Sequence, residues 1–170
     1  DHLKSIGSNA FYGCKYLTGS LVIPEGVTEI RRGAFKGCTG LNGTLTLPST
    51  LKKLGNRGED DMQDEGTDYY GGVFQGCNNL TGNLRLPDNL ELIRGYCFAG
   101  CSGFYGELKL PSHLKRIANC VFQGCSGLTG SLTIPQNITT IPSEAFHGCG
   151  FNGTLSLHDG IINIANDAFA

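Results

Sequence analysis

Three groups of residues in this chain have the types that do chemistry. Cys14, Cys38, Cys77, Cys101, Cys125 and Cys149 each follow a glycine, at spacings of 24, 39, 24, 24 and 24 residues. Glu59, Asp60, Asp61, Asp64, Glu65 and Asp68 crowd a short stretch and carry the hard oxygen ligands that calcium takes. Arg85, Glu107 and Lys109 bring together two cations and an anion that a charged partner could meet.

The cysteines fit neither metal nor nucleophile chemistry. No Cys-x2-Cys pair occurs and the four histidines are scattered, so a zinc site has no ligand set. A nucleophile is one residue activated by a neighbouring base, whereas these six recur at one position. Side chains in such a column point alike rather than at each other. Free thiols packed as small hydrophobes are therefore expected, with Cys97 and Cys120, which stand outside the column, as the exceptions to watch. His147 occupies a position that elsewhere holds Tyr12, Lys36, Gln75, Ala99 or Gln123, and is expected at the surface. Aligning Gly66 with the turn glycine of an EF-hand loop puts Gln63 and Gly72 at ligand positions. The acidic stretch thus reads as a solvated loop, and as an alternative binding site through its six carboxylates. No catalytic residues, metal or cofactor are expected.

The elements that position these residues are near-copies of one unit. VFQGCSGLTGSLTIPQNITTI (121–141) returns as AFKGCTGLNGTLTLPSTLKKL (34–54), VFQGCNNLTGNLRLPDNLELI (73–93) and CFAGCSGFYGELKLPSHLKRI (97–117). A period this short marks a solenoid, whose units bury a core only by stacking. The segment Leu-x-Ile/Leu alternates with period two, so it is expected to form a parallel ladder with its apolar residues inward. Proline closes it by having no N–H to donate.

Two further apolar columns follow, Val27/Leu51/Leu90/Leu114/Ile138/Ile161 and Ile30/Leu54/Ile93/Ile117/Ile141/Ile164. Only three residues separate them, which suits a short extended piece or a 3₁₀ turn. Phe11, Phe35, Phe74, Phe98, Phe122, Phe146 and Phe169 form a third column, expected to supply most of the cohesion between units. Little helix is expected.

Between Leu54 and Val73 the period is broken by an insertion of about fifteen residues, roughly 56–71, which holds the acidic cluster. The last unit is one residue short, and His158 stands there in place of proline, which reads as drift. Asn42, Asn79, Asn137 and Asn152 form Asn-x-Ser/Thr sequons that the Asn-, Gly- and Thr-rich repeat explains by chance.

Residues between the inward leucines face outward. At the ends of the array they are small, but Asn83, Arg85, Glu107, Lys109 and Thr133 mark the middle as the candidate partner-binding surface. A formal net charge of −2 gives no basic footprint for nucleic acid. No apolar run of about 18 residues encodes a membrane span.

The unit Leu-x-Ile-Pro, hydrophobic-x-x-Ile, Ala-Phe-x-Gly-Cys resembles the BspA-like leucine-rich repeats, over nearly the whole chain. The resemblance implies a β-rich, right-handed leucine-rich-repeat solenoid with a parallel sheet, as one domain over 1–170 of about six 24-residue units. It also implies a surface-exposed or secreted protein, commonly bacterial, that adheres to a protein or glycan on a host or microbial surface. The alternative is a structural spacer with no ligand. The array starts and stops inside a unit, which reads as a mature region or an excised piece of a longer array. A monomer is expected.

Overall fold

The computed structural model describes residues 2–56 and 72–170. Its strands are, in order, β1 (Ser5–Ile6), β2 (Leu21–Val22), β3 (Glu29–Arg31), β4 (Leu45–Thr46), β5 (Lys53–Asn56) and β6 (Leu92–Ile93). There follow β7 (Gly106–Glu107), β8 (Arg116–Ile117), β9 (Leu128–Thr129), β10 (Leu132–Thr133), β11 (Thr140–Ile141), β12 (Leu155–Ser156) and β13 (Asn163–Ile164). Every pairing between them is parallel. The result is a parallel β-solenoid, without helix among the described residues. Accordingly none of those residues lies in a helix long and apolar enough to cross a membrane.

The longest sheet has the order β1-β3-β5-β6-β8. It is built from the Ile30/Leu54/Ile93/Ile117 column, so the three-residue spacing resolves into an extended piece. Those four side chains are buried while Lys53 and Arg116 beside them are exposed, the alternation a half-buried strand requires. No strand this short is stable alone. Each is held by its neighbours in the stack.

The Leu-x-Ile/Leu segments depart from the single ladder expected of them. They pair in register only at the two ends, Leu21 with Leu45 and Leu132 with Leu155. In the middle the pairing slides to earlier residues, as Thr44–Thr81, Gly82–Phe104 and Gly106–Leu128. By the repeat, Gly106 corresponds to Gly130 and not to Leu128. The slide therefore amounts to two residues, which keeps each side chain on its own face.

Between the two sets of strands, successive turns carry bonds from N–H to the carbonyl three residues back. Lys36 donates to Gly33, Cys38 to Phe35 and Leu41 to Cys38, at 3.0–3.2 Å. Within these turns the phenylalanines stack as expected. Ring centroids from Phe11 through Phe35, Phe74, Phe98, Phe122 and Phe146 to Phe169 are 4.9, 5.6, 5.5, 5.5, 5.6 and 5.3 Å apart. Phe35 lies directly on Phe74, and Leu54 pairs with Ile93. The insertion does not interrupt the stack.

Candidate binding face

The column cysteines are placed by the turns that hold the phenylalanines. All eight cysteines are free thiols, Cys97 and Cys120 included. Packing is only part of what the column does. The Sγ of Cys38, Cys77, Cys101, Cys125 and Cys149 donates to the carbonyl of Phe11, Phe35, Phe74, Phe98 and Phe122 in turn, at 2.9–3.2 Å. Each thiol thus satisfies a carbonyl of the preceding rung, although S–H is a weak donor. Burial pushes the Cys77, Cys97 and Cys149 thiols up to about 12, and Cys101 well above its ordinary value. Reactive cysteines have the opposite tendency. This column is structure and not chemistry.

Several side chains read as incidental are inter-rung ties. Asn79 donates to the Thr39 carbonyl at 2.7 Å and Asn137 to that of Ser112 at 3.0 Å. Asn42 and Asn152 accept from Gly19 and Gly130 N–H, both at 2.9 Å. Rather than drift, His158 reaches the Pro135 and Ile138 carbonyls with Nε2 and accepts from Gly160 N–H at Nδ1. That pattern requires the tautomer protonated at Nε2. His147 is half-buried instead of exposed, and its Nδ1 is buried with no partner among the described residues.

Asn83, Arg85, Glu107, Lys109 and Thr133 are all exposed, as the period-two pattern requires. They surround two adjoining depressions. Asn83 and Arg85 line one of about 360 Å³, floored by Leu84 and Leu86. Thr133 lines the other, of about 510 Å³, together with Ser131 and Asn137. Glu107 and Lys109 belong to both, so the five residues form one continuous surface across three rungs.

Neither Arg85 nor Lys109 has an ion pair or side-chain hydrogen bond with the described residues, and neither does Glu107. Elsewhere Lys115 pairs with Glu91, and Arg31 with Glu29 at 3.6 Å. Glu59, Asp60, Asp61, Asp64, Glu65 and Asp68, the alternative loop site, lie outside the described residues. No group of three or more metal-binding side chains occurs among those that are described.

Tyr105 adds a feature that the charge pattern does not show. It is 56% exposed and stands where other units carry Thr18, Asn42, Thr81, Thr129 or Asn152. Beside it, Phe104 replaces the usual leucine and meets Phe98 edge-on at 6.4 Å. A comparison between units, position by position, brings out both substitutions.

Six copies of the BspA type leucine-rich repeat region match the chain, over residues 1–58 and 67–170. The chain belongs to this family. In fold it is similar to a leucine-rich-repeat protein of T. pallidum, with a TM-score of 0.70 and 24% identity over 95% of this chain and 66% of that one. A leucine-rich-repeat protein of Bacteroides ovatus matches with a TM-score of 0.51 and 21% identity, over 100% and 56% of the two chains. A leucine-rich cell-surface protein of Faecalibacterium prausnitzii matches with a TM-score of 0.45 and 18% identity, over 95% and 47%. The chain thus spans less than two thirds of each of these proteins. No curated protein sequence matches it.

Proposed function

We propose that this chain is a non-enzymatic binding module of a cell-surface or secreted protein. It recognises a protein or glycan on a host or microbial surface through the face that carries Asn83, Arg85, Glu107, Lys109 and Thr133. One observation carries the reading. Two cations and a carboxylate, none of them paired among the described residues, line a shared concavity, midway along an array whose equivalent positions at the ends are Val22, Thr46 and Ser156. Repeat proteins use such rigid faces as extended binding surfaces, and concavity with a few placed polar groups is the usual form of a site.

A spacer role is the second reading, favoured by the unbroken phenylalanine stack and the near-identity of the units. Binding of host matrix proteins and host-cell surfaces by the wild type and by an Arg85→Ser, Lys109→Ser double variant separates the two. The module reading expects a partner that the double variant loses. A partner bound equally by both, but lost on deletion of residues 57–71, moves the site to the acidic loop. No partner at all supports the spacer.

A further inference from the structure

The backbone of the proposed face is open where its charges lie. At the array's first pair of rungs, Leu21 and Ile23 N–H donate to Thr44 and Thr46, both at 2.9 Å. At the last, Leu132 and Ile134 donate to Thr154 and Ser156 at 2.9 and 3.0 Å. The corresponding residues of the middle rungs, Leu84–Arg85–Leu86 and Lys109–Leu110, lie outside every strand and bridge. Among the described residues their N–H and C=O groups have no backbone partner. The cause is the two-residue slide, which spends the ladder on Gly82–Phe104 and Gly106–Leu128 and lets the following residues part. The two depressions are the gaps that result, one between the third and fourth rungs and one between the fourth and fifth.

From this opening we infer that the ligand of the face is an acidic glycan, a chain of sugars bearing carboxylates. The inference rests on the module reading above and narrows its ligand class. Backbone N–H and C=O groups that lack partners favour a ligand rich in groups that both donate and accept, which sugar hydroxyls do. Asn83, Ser131 and Thr133 on the walls offer the same complementary capacity. Arg85 and Lys109 supply the charge for a carboxylate, Arg in the two-pronged geometry that suits it. Glu107 accepts from hydroxyls and discriminates against a ligand that is merely polyanionic.

A protein partner fits less well. Protein interfaces are anchored by buried aromatic side chains and arginine, and the chain has no Trp. Of the large apolar side chains exposed among the described residues, Tyr105 alone is not on an end rung.

Calorimetric titration tests this with an oligogalacturonate, a hyaluronan hexasaccharide and a sialylated trisaccharide. The methyl ester of the first and a glutamate oligopeptide of equal charge serve as controls. At least one acidic sugar is expected to bind, and its affinity to fall tenfold or more in Arg85→Ser, Lys109→Ser. Esterification of the oligogalacturonate, where that binds, is expected to weaken it comparably. Ser131→Ala, Thr133→Val, which removes hydroxyls and no charge, is expected to cost about threefold. Arg85, Lys109 and Thr133 are on the surface, whereas Ser131 is half-buried and accepts from Thr154 N–H at 3.0 Å, so the melting temperature is the check that each variant folds. Equal binding of the glutamate peptide would reduce the site to charge alone and overturn the inference. So would an acidic sugar that binds both forms equally. If no acidic sugar binds while a protein partner is lost with Arg85 and Lys109, the glycan inference falls and the module reading stands.

Discussion

At the scale of single residues, the cysteines show how a repeat assigns a role by position. Their recurrence after glycine was enough to predict free thiols, because a column cannot pair with itself. The thiol-to-carbonyl bonds were not legible, since they depend on a tilt that only the stacked backbone sets. Titration of the unfolded, unreduced protein should count eight thiols, and the folded protein should react slowly. A count of four or fewer would mean bridges and would contradict the column.

Burial also makes stability fall at alkaline pH. The ordinary thiol value is 9.0, while Cys77, Cys97 and Cys149 are raised to about 12. Below pH 9 both folded and unfolded chains hold these protons, and the thiols' contribution is complete. Between about pH 9 and 12 the unfolded chain releases them first, so stability is lost as pH rises. Melting temperatures from pH 8 to 11 should fall less steeply for Cys77→Ala, Cys149→Ala than for the wild type, although the variant starts lower. Parallel slopes would show that the thiols are not the cause.

At the scale of elements, the rung is the unit of stability and phenylalanine is its main adhesive. Phe98 is fully buried between Phe74 and Phe122, whereas Phe169 has Phe146 on one side and is only half-buried. Phe98→Ala should therefore cost about 3–5 kcal/mol, the usual loss for a buried aromatic. Phe169→Ala should cost clearly less in the same denaturant melts. Equal losses would contradict a one-dimensional stack. Gly127 sets the closeness of approach in another column. A Cβ there would lie 2.2 Å from the Phe104 carbonyl oxygen, so Gly127→Ala must push two rungs of backbone apart.

The phenylalanine column and the outward residues were legible because spacing alone determines them. The site of the longest sheet was not. Leu-x-Ile is the stronger strand pattern, yet the Ile30/Leu54/Ile93/Ile117 column keeps its register across five strands while the other slides. Register between rungs is set by tertiary packing, which a pattern within one rung does not encode.

At the scale of the whole molecule, the insertion and the open face are separable. Phe35–Phe74 stacking and Leu54–Ile93 pairing close the array without residues 57–71. Deleting them restores the 24-residue spacing, and loop length by itself has only a small effect on stability. The deletion should keep a cooperative melt within about 1 kcal/mol of the wild type, since each doubling of a loop's length costs only about 0.6 kcal/mol. A broad or lost transition would show that the insertion is part of the core.

The most direct measurement is amide hydrogen exchange, read residue by residue with and without an acidic oligosaccharide that binds. Without ligand, amides of Leu84–Leu86 and Lys109–Leu110 should exchange far faster than those of Leu132 and Ile134, which occupy equivalent positions and are hydrogen-bonded. With ligand, the fast set should become protected while Leu132 and Ile134 change little. Equal protection of both sets in the free protein would mean that the ladder is closed in the middle, and would contradict the account of this face.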